Sequence, residues 1–432
     1  MTSSMLRKCL AVAVALAALT ATGAAPSAGS ASRAGLANSD EVTEWHENML
    51  AVLVTAGTNP IASTRDAALV SAAVFDAVNG IERRYEPIHV PAEAPKGASK
   101  RAAAVQAAYV ILATRYPAQA SALADKRTAS LAAIADGGNS LERGVEWGQE
   151  VAEAILEWRS TDGFSSSPPA YTGGSDPGEW RPTPPAGAPG LLPQFATMTP
   201  WGIESADQFR PSGPRALDSD EYADDFNEVK VMGSIGSTLR TAEQTDFCKF
   251  WQASTPTFLW NRVALDLIAD TDNSLSDNAH LLATMNLAIA DSIIGCWDAK
   301  YFYSFWRPVT AIRLADTDGN DDTAVDTSWT PLLVTPPFPE HTSGHSSASS
   351  AAVAVLADFF GDDTSFTVKS HTNLNWTRSF TSFSSAIDEV ADARVFAGIH
   401  FRTACDLGAA AGNEVAGYIM ENLMGRIHGN GN

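Results

Sequence analysis

The chain has 432 residues, 45% of them hydrophobic, with 29 Lys and Arg against 50 Asp and Glu for a formal net charge of −21. That is enough apolar chain to bury a large core, and the acidity excludes nucleic acid and anionic lipid as natural partners. No C-x-x-C or H-E-x-x-H pattern occurs, which excludes the usual zinc and iron–sulfur sites.

Residues 1–31 read as a secretory signal, with Arg7 and Lys8 ahead of an apolar run over 10–20 and a small-residue stretch between Ala24 and Ala31 suited to cleavage. The run falls short of the roughly 20 residues that a membrane span needs. Cys9 precedes it, outside a lipoprotein-type cleavage box. The mature protein is therefore expected to be exported and soluble, a secreted, extracellular chain. Residues 32–160 form an N-terminal helical half, with amphipathic periodicity over 41–56, 63–81, 100–115, 118–135 and 141–159.

Residues 161–219 shift to Pro, Gly and Ser, the composition of a linker. Yet Tyr171, Trp180, Leu191, Leu192, Phe195 and Trp201 would not be left in water by a free linker. The stretch is expected to be a long ordered loop wrapped over the helical body near the mouth of a pocket. Residues 220–432 form a C-terminal half with helices over 220–232, 241–253, 256–269, 277–302, 343–360, 383–397 and 403–424, and a frayed tail. Residues 316–326 are rich in Asp but lack the twelfth-position Glu of a calcium loop, so they read as an acidic solvated turn. The fold class is all-α: two packed helix-bundle halves forming one body, with a long Pro/Gly-rich wrapping loop.

Three segments of the C-terminal half carry the chemistry: Lys300 to Arg307-Pro308, Thr342-Ser343-Gly344-His345, and Arg394 to His400. A surface cation on a helix usually meets a carboxylate three or four positions away. None stands there around Lys300, Arg307 or Arg394, and Arg394 extends the apolar stripe of Ile387, Val390 and Ala391. Buried cations need an anion, either a ligand or a distant Asp or Glu. Pro336, Pro337 and Pro339 hold the chain extended before a helix that closes at Gly361, so Thr342 or Ser343 caps it and Gly344 opens its anion-binding end. Taken singly, each segment also fits a plain core ion pair or a plain capped helix.

Together, in this order and with these inner spacings, the segments resemble the three-part signature shared by vanadium-dependent haloperoxidases and type 2 phosphatidic-acid-phosphatase (PAP2)-like acid phosphatases. The resemblance is densest over 238–412 and extends to 61–81, where Arg65 and Phe75-Asp76-Ala77-Val78-Asn79 are similar to a helix of the haloperoxidase branch. It implies a vanadate cofactor bonded by His400. Lys300, Arg307, Ser343, Gly344 and Arg394 would contact its oxygens, and His345 would be the acid–base residue beside them. His345, Lys300 and His400 are then the catalytic set. Trp297 and Phe338 would line the halide side, and Phe at the latter position suggests chloride as a candidate beside bromide.

The chain departs from the pattern at Thr342, where Pro is common, and at Ala393, where Ser is common. It also lacks the usual Asp at Ala404, so Asp406 is expected to orient His400 from a shifted register; Glu340 and His341, close to the pocket, are expected to be loop residues, with a part in the proton network as the alternative. Cys296 lies one turn before Lys300 and Cys405 five residues after His400. In an oxidising compartment these two are the expected disulfide, with Cys248 free and buried; three reduced core cysteines are the alternative.

The implied activity is oxidation of halide by hydrogen peroxide to a hypohalous acid species, with an organic acceptor as a further partner. The alternative is a secreted PAP2-type acid phosphatase with a phospho-histidine intermediate on His400. A non-enzymatic phosphate-binding protein is a third reading, disfavoured because no motif position is missing. Trp297, Trp306 and Phe338 weigh toward the haloperoxidase.

Overall fold

The computed structural model describes residues 40–427; the expected signal segment, 1–31, and the residues at 428–432 lie outside them. Thirteen helices carry the described fold. The N-terminal half contributes α1 (Glu41–Ala56), α2 (Pro60–Glu82), α3 (Lys100–Arg115), α4 (Ala120–Ala133) and α5 (Asn139–Trp158). The C-terminal half contributes α6 (Asp220–Met232), α7 (Ala242–Ala253), α8 (Pro256–Ile268), α9 (Leu275–Tyr303), α10 (Pro308–Arg313), α11 (Gly344–Phe360), α12 (Phe383–Phe396) and α13 (Arg402–Asn422). Every helix read from the sequence is present. The six-residue α10 and an antiparallel hairpin, β1 (Phe366–Lys369) with β2 (Thr377–Phe380), were not legible. Both are shorter than a window in which periodicity can be counted.

Helix α9 is the axis. A capping box of Ser274 and Asp277 starts it, and it is apolar around nearly its whole circumference. By length and composition it could cross a membrane, but 89% of its most apolar window is buried inside the protein, which makes it a core helix. Helix α2 packs on it from the N-terminal half and α11 and α13 from the C-terminal half, so the two halves share one apolar core.

The loop after α5 is ordered, because buried polar groups tie it down. Asp162 pairs with Arg65 of α2 at 2.7 Å. The buried Asp291 of α9 accepts the amides of Trp201 and Gly202 at 2.7 Å and of Ile203 at 3.1 Å. Trp180, Phe195 and Trp201 are buried, and Leu191 reaches α9, where its carbonyl accepts from Trp297 Nε1 at 3.2 Å and Tyr301 OH at 2.8 Å. Asp76 plays a similar part on α2, binding the amides of Ile88, His89 and Val90, while Asn79 fastens Tyr85.

The expected Cys296–Cys405 disulfide does not form. Both thiols are free and buried, as is Cys248. Each lies against a different part of the turn that opens α11: Cys296 Sγ contacts Thr342 at 3.5 Å, and Cys405 lies beside Ser343 and Ser346. The turn occupies both sulfurs as packing and weak hydrogen-bonding groups.

Helix α13 approaches α11 at backbone distance. A Cβ on Gly408 would stand 2.9 Å from the Ser343 carbonyl, and one on Gly412 would stand 2.2 Å from the Ser347 carbonyl. Two glycines four residues apart thus set how closely the N-terminus of α11 sits against the helix that follows His400. Gly412→Ala should push α11 away and destabilise the protein by about 1–3 kcal/mol, and it should weaken oxyanion binding although residue 412 lines no pocket. Thermal melts with and without orthovanadate measure both effects.

Candidate active site

The site forms where the C-terminal end of α9, the start of α11 and the segment between α12 and α13 converge. Lys300 lies in the last turn of α9 and Arg307 just ahead of α10. Ser343 caps α11, with its Oγ accepting the Ser346 amide at 3.3 Å. Gly344 is then the first residue of that helix, so its amide is among the N–H groups that have no acceptor within the helix. Arg394 lies in the last turn of α12, and His400 directly precedes α13. The structure brings together all seven residues singled out as cofactor contacts, with Trp297 and Phe338 beside them.

Lys300, Arg307 and Arg394 are each at most 1% exposed, and among the described residues none has a carboxylate within 4.0 Å. Lys300 donates to the carbonyls of Pro339 at 3.0 Å and Glu340 at 2.9 Å, and also to that of Thr342. Arg307 donates to the carbonyls of Phe338 and Ile399, both at 2.8 Å, while its Nη2 has no partner. Arg394 donates to Gln252 at 2.9 Å, and its Nε is unpartnered. Phe338 adds cation–π stabilisation to two of them: its ring centre is 5.0 Å from Lys300 Nζ and 4.8 Å from the Arg307 guanidinium.

Burial drives Lys300 down to about 7, Arg307 to about 9 and Arg394 to about 10. Three carbonyl acceptors demand three N–H donors, which favours the ammonium form of Lys300 against that pull. Lys300 therefore lies behind the cavity wall and presents a charge there, not a spare donor.

Glu340 is the carboxylate of the site, where an ordinary loop residue was expected. It is 1% exposed, and its Oε1 accepts from His400 Nδ1 at 2.8 Å and from the Phe401 amide at 3.0 Å. Asp406, expected to orient His400, is exposed on α13 and does not touch it. Burial raises Glu340 to about 7, opposed by the charges of Arg307 and Lys300. His341 is likewise buried, donating to or accepting from no motif residue; its Nε2 meets the Ser212 carbonyl at 2.9 Å, and burial lowers it to about 4.

Two contacts fix the His400 tautomer. Ionised Glu340 at Nδ1 can only accept, so Nδ1 then carries the proton. Arg307 Nη1, 3.1 Å from Nε2, can only donate, so Nε2 presents its lone pair. Burial and the neighbouring cations Arg307, Lys300 and Arg394 hold the imidazole well below its ordinary pKa, and it stays neutral. His345 stands half-buried on the cavity wall, also held low by burial and by Arg394.

Three cations less one carboxylate leave two uncompensated positive charges around a neutral imidazole lone pair. The unpartnered Arg307 Nη2 and Arg394 Nε supply donors for an anion. This set fits a tetrahedral oxyanion dianion, vanadate included. Above it opens a cavity of about 340 Å³, whose lining includes Trp297, Phe338, Gly344, His345, Arg394 and His400.

Two outcomes check this electrostatic reading. Arg394→Met should raise the melting temperature of the oxyanion-free protein, since it removes an uncompensated buried charge, and should abolish the stabilisation by added orthovanadate. Glu340→Leu should lower orthovanadate affinity by roughly 10- to 100-fold. It should also leave the His400 Nδ1 proton without its acceptor, which ¹⁵N-edited NMR of the imidazole reports directly as a shift of that N–H.

Comparison with known proteins gives these features relatives. Residues 280–429 match the family described as the VCPO second helical-bundle domain. Vanadium chloroperoxidase from Curvularia inaequalis is 26% identical over 179 residues, which cover 35% of this chain and 29% of that protein, so the match spans under a third of the relative's length. A bacterial vanadium-dependent iodoperoxidase superposes with a TM-score of 0.78 at 27% identity, over 90% of this chain and 98% of that one. A holo-type bacterial vanadium-dependent chloroperoxidase shares the fold, with a TM-score of 0.67 at 18% identity, over 90% of this chain and 94% of the other. With the motif residues assembled around one oxyanion-shaped deficit of negative charge, residues 280–429 carry the VCPO second helical-bundle domain, and the chain is similar in sequence and fold to vanadium-dependent haloperoxidases.

Proposed function

We propose that this protein holds vanadate and uses hydrogen peroxide to oxidise a halide to the hypohalous acid. The observation that carries the reading is the pair of uncompensated buried charges beside the His400 Nε2 lone pair. Vanadate, when bound, supplies a Lewis-acidic centre at which peroxide becomes electrophilic toward halide. His400 offers Nε2 to the metal, with Glu340 holding the ring. Arg307 and Arg394 donate to the oxygens, and Ser343 and the Gly344 amide complete the cradle at the start of α11. Lys300 adds positive charge from behind the wall, drawing electron density from the oxyanion. His345, neutral and on the cavity wall, takes a proton from incoming peroxide and returns one to the leaving oxygen.

Trp297 and Phe338, with ring centres 5.0 Å apart, make the adjoining wall apolar. Such a wall favours a weakly hydrated halide over a phosphate ester. Bromide is the first halide to test, with chloride and iodide beside it, since the relatives include an iodoperoxidase and chloroperoxidases. Export is part of the proposal, supported by the basic start and apolar run of residues 1–31. It suits an enzyme whose product attacks cytoplasmic components.

The test is dye halogenation by chelator-stripped protein with peroxide and bromide, before and after orthovanadate. Activity is expected only after vanadate, and it should be lost in His400→Ala. Phosphomonoester hydrolysis without halogenation, inhibited by vanadate, would instead favour the phosphatase reading, in which His400 Nε2 is the nucleophile.

A further inference from the structure

Of the three buried cations, Arg394 is held by the fewest contacts. Its Nε has no partner, and among the described residues the side chain that bonds it is Gln252, whose Oε1 accepts from Nη1 at 2.9 Å. A guanidinium can only donate, so the amide must turn its oxygen to Arg394 and its NH2 away. Gln252 also lines the cavity above the cradle. Gln and Glu share one shape, so a Glu at this position would reach the same nitrogen and close an ion pair. The amide keeps the hydrogen bond and leaves the charge.

Gln252 is exposed, but the backbone that carries it is fixed. The neighbouring Trp251 is buried, with its Nε1 donating to Glu389 of α12 at 2.8 Å and its ring stacked 6.2 Å from that of Trp260. Phe247 of α7 stacks at 6.1 Å on Phe396, two residues beyond Arg394 on α12. The Trp251 carbonyl accepts from His345. The last turn of α7 therefore touches two residues of the site, His345 through its main chain and Arg394 through the Gln252 amide.

We propose that Gln252 is a positioning residue that sets the charge selectivity of the site. Its neutral amide aims Arg394 and leaves that cation's charge to the bound anion, so the cradle selects a tetrahedral dianion over a monoanion of the same shape. This deepens the oxyanion reading of the site and rests on it. A carboxylate at position 252 would repel the bound anion in proportion to the anion's own charge, so a dianion loses twice the free energy that a monoanion loses. Truncating the amide removes the aim without adding charge, and it weakens both anions to a similar degree.

Tungstate and perrhenate are tetrahedral and isoelectronic, and they differ by one unit of charge. The experiment is calorimetric titration of vanadate-free protein with each, at one near-neutral pH, in wild type, Gln252→Glu and Gln252→Ala. Wild type should favour tungstate. Gln252→Glu should weaken tungstate about tenfold and perrhenate about threefold, so the ratio of the two affinities falls. Gln252→Ala should weaken both and leave the ratio in place. Gln252→Glu should also raise the melting temperature of the anion-free protein, because a buried charge gains a partner, and Gln252→Ala should not. A wild-type ratio in Gln252→Glu, or an equal fall of the ratio in Gln252→Ala, overturns the role of Gln252. Binding of neither anion to wild type overturns the cradle and this proposal together. The expected pattern without halide oxidation by the vanadate-loaded protein supports Gln252 and refutes the haloperoxidase reading.

Discussion

Three cations buried together, without a carboxylate pair for any of them, are the constraint to which the rest of the site answers. An isolated buried cation is among the most costly groups a fold can carry. Here the cost is lowered without being cancelled. Carbonyls of Phe338, Pro339, Glu340, Thr342 and Ile399 take up donors, the Phe338 ring faces two of the charges, and one carboxylate, Glu340, stands close by. Carbonyl dipoles and a quadrupole moderate a charge but do not neutralise it. The remaining deficit selects for a dianion, and the unpartnered nitrogens of Arg307 and Arg394 give it direction.

Holding such a deficit in place requires a rigid frame, and the frame is built from close backbone contacts as much as from apolar side chains. Gly408 and Gly412 let α13 approach α11 so closely that the first turn of α11 is registered against His400. Helix α9 carries Lys300 at one end of a span whose middle, at Asp291, also fastens the wrapping loop. One helix therefore sets both the charged floor of the site and, through Trp297, Tyr301 and Leu191, part of its apolar wall.

Much of this was legible in the sequence, because its signals are local. Helical periodicity is counted along the chain. The lack of carboxylates at helical spacing from Lys300, Arg307 and Arg394 is likewise visible without a fold, and it correctly marked all three as inward-facing. What was missed depends on contacts distant in sequence. Glu340 meets His400 across 60 positions, and nothing in a Pro-Pro-Phe-Pro-Glu-His run says which way the carboxylate turns. The signal that could have found it is electrostatic: a cluster of three buried cations invites at least one nearby carboxylate, and Glu340 is the one nearest the Ser-Gly-His turn. Asp406 was favoured because it follows His400 in sequence, yet on α13 its position faces solvent. The disulfide was misjudged for a similar reason, since sequence proximity of Cys296 and Cys405 to the motif could not reveal the turn of α11 that engages them both.

The shift of the orienting carboxylate from the His400 side of the chain to the α11 side changes what the site couples. Glu340 lies three residues before Ser343, so the group that sets the His400 tautomer and the group that caps the oxyanion-facing helix belong to one short segment. The carbonyls that hold Lys300 are those of Pro339, Glu340 and Thr342, from the same segment. A displacement of 339–343 would then misplace the lysine charge, the imidazole proton and the first amides of α11 together. Arg307 closes the arrangement from the other side by donating to the Nε2 lone pair at 3.1 Å. That contact can be exchanged for a metal ligand bond without moving the ring, because Glu340 holds Nδ1. Under the proposed vanadate chemistry, the imidazole would thereby be pre-set as a ligand by contacts that do not involve the cofactor, and affinity for the oxyanion would not be spent on orienting it.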